Sequence, residues 1–172
     1  VSLEASLAFV LEEEGGFSDH ASDPGGATNR GVTQSTYDTW RARNGLTERN
    51  VRSIEDDEVR AIYREMYWLP AHCSEWPPAV ALVVFDTAVQ RGPRRAVMDM
   101  QRAVGVREDG MVGPITRRAV AARDARELVE RLLLLRGDHY ADRVRDKPDQ
   151  AAFLKGWVRR LLRLTFASVT AV

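Results

Sequence analysis

The chain has 172 residues, 44% of them apolar and 29% charged, which suits one compact domain, or two lobes sharing a helix, and argues against disorder. Its single cysteine, Cys73, rules out an internal disulfide and offers no zinc-ligand spacing, and no apolar run reaches the eighteen or so residues that span a bilayer. Formal charge is zero but unevenly spread: residues 1–75 carry 7 Arg against 14 Asp or Glu, and residues 76–172 carry 18 basic against 11 acidic side chains. A basic half can hold an anionic polymer or a membrane surface; a solvated arginine-rich surface is the plain alternative, since Arg supplies 23 of the 25 basic residues.

The N-terminus is too acidic and amphipathic for a signal peptide, so substrate outside the cytoplasm implies a missing leader, a holin or another export route. Leu3, Leu7, Val10 and Leu11 form the apolar stripe of a first helix, capped by Ser2 and stopped by Gly15-Gly16. Residues 17–33 are rich in Gly, Asp, Ser and Asn and read as turns joining at most two or three short strands. Helices follow from about Ser35 to Asn44 and from Ser53 to about Leu69. Residues 79–90 are apolar nearly all round, the pattern of a central buried helix. Gly92-Pro93 opens a helix to Val104, residues 105–114 form a tight loop, and Ile115 to about Arg123 is helical. Two longer helices, about 125–143 and 149–167, close the chain.

Continuing the first stripe places Glu14 on the apolar face, three residues after Leu11 and seven after Leu7, while Glu12 and Glu13 point elsewhere. Partial desolvation disfavours the anion there, and the negative end of the helix dipole acts in the same sense. A carboxylic acid that keeps its proton is what glycoside cleavage needs to protonate the leaving oxygen. The plain alternative is a glutamate fraying into solvent. The loop beyond adds Asp23, Thr28 and Asn29; a hairpin turning back beside the helix would let Asp23 or Thr28 activate water from the opposite side of the sugar. Asp19 competes with Asp23, His20 is a weaker candidate, and Asx-turns explain the same composition. The loop lacks a calcium-loop pattern.

Residues 14–33, EGGFSDHASDPGGATNRGVT, resemble the signature of the glycoside hydrolase family 108 N-acetylmuramidases: E-G-G-[YF], a short spacer, then D-P-G-G-x-T-x-x-G-[IV]-T. The segments IYREMYW (62–68), VVFDTAVQRG (83–92) and GWVRR (156–160) look like later blocks of that family, and residues 100–116 resemble an accompanying peptidoglycan-binding region. Family members usually carry Asn where this chain has Gln90, and wider lysozyme-like endolysins space the aspartate and threonine by five residues, where four separate Asp23 from Thr28.

The resemblance implies a lysozyme-like α+β fold, mainly α, with a small N-terminal β-containing lobe: one domain over residues 1–172, with 1–92 the catalytic region and 93–172 a helical, peptidoglycan-binding-like region. It implies a monomeric peptidoglycan hydrolase acting at the bacterial cell wall. Such an enzyme cleaves the β-1,4 bond between N-acetylmuramic acid and N-acetylglucosamine, with Glu14 as general acid, Asp23 or Thr28 positioning water, and Phe17, Asn29 and Gln90 as substrate contacts. No metal, cofactor, nucleic-acid partner or stable membrane insertion is expected. A lytic transglycosylase and a non-catalytic wall-binding or secretion-assisting protein are the competing readings.

Other residues have structural explanations first. Asp86 lies in the most apolar helix and needs a partner, with tying down a neighbouring loop as its expected role. Trp40, Trp68 and Trp76 are core candidates that could instead stack on sugars, and Asp109-Gly110 and Gly113-Pro114 are turn formers. The last helix, with Phe153, Leu154, Trp157, Leu161 and Leu164 on one side and basic residues elsewhere, is expected to close the core rather than disturb a membrane. Cys73 beside His72 makes no catalytic dyad by adjacency alone.

Overall fold

The computed structural model describes residues 2–14, 16–18 and 26–170. Helix α1 (Leu3–Glu14) buries Leu7 and Val10, and Ser2 Oγ accepts from the Ala5 amide at 3.3 Å at its start. Strands β1 (Thr28–Asn29) and β2 (Val32–Thr33) pair antiparallel, Thr28 with Thr33 and Asn29 with Val32. Their two-residue turn, Arg30-Gly31, has φ values of 52° and 74°, the primed geometry that matches strand twist. Ser18 adds an isolated bridge to Thr28, and among the described residues the β element is as small as the composition suggested.

Thr33 then caps α2 (Gln34–Arg43), its hydroxyl accepting from Thr36. After a 3₁₀ turn at Val51–Ser53, a capping box between Glu55 and Glu58 starts α3 (Asp56–Tyr63). The helix expected as continuous to Leu69 instead widens into a π segment, Arg64–Trp68, where the Leu69 amide reaches back five residues to the Arg64 carbonyl at 2.9 Å.

Helix α4 (Pro78–Arg91) is the axis of the molecule, with residues 79–88 all buried and α1, α5, α7 and α8 packed against it. Helices α5 (Pro93–Val104), α6 (Pro114–Ala121), α7 (Ala125–Asp146) and α8 (Ala151–Thr170) complete the body. One hydrophobic core runs from Leu7 and Val10 through Phe85 to Leu128, Leu132 and Leu164. Trp40, Trp68 and Trp76 all lie in it, their indole N–H groups donating to Glu65, Ser74 and the Ala71 carbonyl. Helix α8 closes the core less fully than its stripe suggested: Leu164 is buried, but Phe153 is 57% exposed.

The loop between α5 and α6 is organised from within. Buried Gln101 donates to Asp109 Oδ1 at 2.8 Å and to the Met111 carbonyl at 3.0 Å, and accepts from the Gly110 amide at 2.8 Å. Its Asp-Gly is therefore a turn first, as the composition indicates.

Asp86 is fully buried and pairs with helices rather than with a loop. Arg136 of α7 reaches its Oδ2 at 3.0 Å, and Arg160 of α8 donates Nε and Nη2 to its Oδ1 at 3.0 and 2.8 Å. Arg136 also donates to Thr87 Oγ1 at 2.6 Å and to Gln90 Oε1 at 2.5 Å. Removing one member of such a set strands the others in low dielectric. Asp86→Ala is expected to lower unfolding free energy by about 3–5 kcal/mol in urea titrations; stability equal to the parent's would show that the pairs do not hold α7 and α8 to α4.

Candidate active site

Glu14 ends α1, and its side chain is 23% exposed. It is not the solitary carboxyl of an apolar stripe: Arg160 Nη1 donates to its Oε1 at 2.6 Å. Oε2 has no hydrogen-bond partner among the described residues. Glu13, the neighbour expected to point away, meets Arg163 one turn along α8 at 2.8 Å. Arg160 thus spans Glu14 and buried Asp86 with a single guanidinium, whose planar fork suits two carboxylates at once.

The hairpin turn presses on the same carboxyl. A Cβ on Gly31 would overlap the Tyr63 hydroxyl and lie 2.8 Å from Glu14 Cγ, on a backbone already at positive φ. Tyr63 Oη donates to the Arg30 carbonyl at 2.9 Å, so α3 holds the turn in place against Glu14. Tyr67, on the π segment, stacks obliquely on Tyr63 with ring centroids 5.6 Å apart. Burial pushes both phenols above their ordinary range, and the negative charge of Glu14 adds to the shift in each. Both hydroxyls therefore stay neutral donors through the working range of pH.

The structure brings Glu14 together with Gly31, Tyr63, Tyr67 and Arg160, but scatters the other sequence candidates. Phe17 is half-buried under the Arg52 guanidinium, 4.4 Å from its ring centroid. Asn29 spends its amide on the Val51 and Arg52 carbonyls at 3.2 and 3.1 Å, fastening the hairpin to the 3₁₀ turn. Thr28 is half-buried, its hydroxyl making only a long 3.4 Å contact to the Gly26 carbonyl. Gln90 sits at the far end of α4, held by Arg136 and by the Tyr140 hydroxyl at 3.2 Å. Asp23, with Asp19 and His20, lies outside the described residues.

Sequence reasoning missed Arg160, Tyr63, Tyr67 and Gly31; the blocks IYREMYW and GWVRR held three of them without revealing their partners. Cys73 is buried, and burial pushes its thiol up, away from nucleophilic use, while His72 turns to Glu75 at 2.7 Å. Among the described residues no group of three or more His, Cys, Asp and Glu side chains is placed to hold a metal ion.

A helical body carrying a two-stranded N-terminal element, with a partly exposed glutamate at their junction, is a lysozyme-like α+β arrangement, mainly α. Residues 7–92 match the family model described as glycosyl hydrolase 108, and residues 95–162 match one described as a predicted peptidoglycan domain. The solved structure of Brucella abortus SagA superposes with a TM-score of 0.81 at 31% identity, covering 98% of this chain and 94% of that one. No curated protein matched the chain. The chain belongs to the glycosyl hydrolase 108 family, with a peptidoglycan-binding region toward its C-terminus, and is a glycosidase acting on peptidoglycan.

Gly31→Ala is expected to cost about 1–2 kcal/mol from the left-handed backbone alone, with a further loss as the new methyl displaces Tyr63 or Glu14. Urea denaturation and release of reducing ends from sacculi measure the two effects; a variant with parental stability and activity would show that the turn does not constrain the glutamate.

Proposed function

We propose that the chain is an N-acetylmuramidase that hydrolyses the β-1,4 bond between N-acetylmuramic acid and N-acetylglucosamine, with Glu14 as the general acid. The observation that carries this reading is the state of one side chain: a carboxyl beside the hairpin, 23% exposed, with one oxygen held by Arg160 and the other without a hydrogen-bond partner among the described residues. Protonated Glu14 gives its proton to the glycosidic oxygen as the bond to the anomeric carbon breaks, and Arg160 meets the carboxylate that remains. Water adds to the anomeric carbon, its proton drawn off by Asp23 or guided by Thr28, and Glu14 is reprotonated from solvent.

Phe17 offers an apolar surface near the hairpin, and the amide of Asn29 acts through the hairpin's attachment rather than on the sugar. In this reading residues 1–92 supply the chemistry, residues 93–172 supply wall binding together with Arg160, and the protein works at the cell wall after export.

Glu14→Gln removes the proton while keeping an acceptor for Arg160. It is expected to fold as the parent does and to release reducing ends from purified sacculi about 10²–10⁴-fold more slowly. Mass spectrometry of the wild-type products should find reducing N-acetylmuramic acid ends. Anhydro ends would assign a lytic transglycosylase instead, and wild-type rates in the variant would remove Glu14 from the chemistry.

A further inference from the structure

A cleft, about 910 Å³ in volume, opens between α5 and the C-terminal half of α7, at the end of α4. It lies on the other side of the Asp86 network from Glu14: Gln90, held by Arg136 and Tyr140, forms part of its wall. Of its charged side chains, several are already matched. Arg91 pairs with Asp99 at 2.5 Å, Arg102 with Glu108 at 2.8 Å, and Asp142 and Asp146 with Arg145 at 2.6 and 3.0 Å. Arg95, Arg143 and Lys147 have no carboxylate partner among the described residues, and neither has Asp138 a cation. Arg143 is oriented by Gln150 Oε1 at 2.8 Å and by the Trp157 ring 5.7 Å away.

The lining carries five cations, Arg91, Arg95, Arg102, Arg143 and Lys147, against four carboxylates, Asp99, Asp138, Asp142 and Asp146. Burial, with Arg91, Arg143, Arg136 and Arg95 around it, pushes the His139 imidazole down to about 4, so it stays neutral at working pH. Three uncommitted cations are a receptor for carboxylates, which guanidinium groups bind in a fork. Uncommitted Asp138 beside them disfavours a uniform polyanion such as a phosphate backbone, and suits a ligand that carries an ammonium group among its carboxylates.

Peptidoglycan stem peptides have that chemistry: free carboxylates and the side-chain amine of a diamino acid. We propose that this cleft binds the stem peptide of the polymer, with Arg95, Arg143 and Lys147 taking its carboxylates and Asp138 its amine. The source of the ligand rests on the peptidoglycan reading above; the charge pattern does not. The site stands apart from the glycan-cutting carboxyl and gives the enzyme a preference for strands that keep their peptides.

The test is calorimetric titration of the full chain with soluble stem peptide, freed from sacculi by an amidase. Wild type should bind it, less tightly as salt rises. Arg95→Ala combined with Lys147→Ala should weaken binding about tenfold or more, while cleavage of peptide-stripped glycan is unchanged. Asp138→Asn should weaken binding of the native peptide but not of one whose amine is acetylated. Wild-type affinity in the double variant, equal affinity for a peptide with amidated carboxylates, or no binding by wild type would each overturn the proposal. Failure of the muramidase reading shows up separately, as no reducing N-acetylmuramic acid ends released from sacculi by the wild type while the titration still finds the peptide.

Discussion

Arg160 holds two carboxylates with one guanidinium: Asp86 at the buried centre of α4, and Glu14 at the open end of α1. A carboxylate with no solvent exposure costs several kcal/mol to bury unless cations meet it, so Arg136 and Arg160 are obligatory once Asp86 occupies the most apolar helix. The two arginines arrive from α7 and α8, and the same atoms that neutralise Asp86 fix where those helices lie. The third nitrogen of Arg160 then sets the position of Glu14. The buried charge that orders the helical body also holds the side chain proposed as the general acid.

The uneven charge along the sequence acquires a structural meaning from this. The acidic first half and the basic second half meet through ion pairs: Glu13 with Arg163, Glu14 with Arg160, and Glu75 with Arg117 at 2.6 Å. Part of the basic excess is therefore spent inside the molecule. What remains uncommitted around the cleft between α5 and α7, chiefly Arg95, Arg143 and Lys147, is available to a ligand. Glu14 and that cleft lie at opposite ends of one chain of contacts, through Arg160, Asp86, Arg136 and Gln90.

Periodicity made much of the helical body legible. The apolar stripe of α1 located Glu14, the all-round apolar run of residues 79–90 marked the central helix, and Gly and Pro marked most boundaries. The π segment was not legible, because one inserted residue breaks the 3.6-residue repeat by which helices are recognised, and Tyr67 lies on it. Arg160 read as one more basic residue on an amphipathic helix; its partners are 74 and 146 residues away, beyond any local pattern. Asn29 read as a substrate contact because polar loop residues commonly are; its Nδ2 group donates to backbone carbonyls that only the folded chain brings near. Gln90 was singled out by resemblance alone, and the structure places it on the wall of the cleft between α5 and α7.

Whether the shared guanidinium positions the carboxyl of Glu14 for chemistry is probed most directly by Arg160→Lys. Lysine keeps a cation beside Asp86, so the fold is maintained, but a single ammonium cannot grip both carboxylates as the fork does. Steady-state cleavage of sacculi by this variant is expected to show kcat lowered about 10²-fold, with KM little changed and the parental far-UV circular dichroism. A folded Arg160→Lys variant with parental kcat would contradict that role, leaving Arg160 as a structural partner of Asp86 alone.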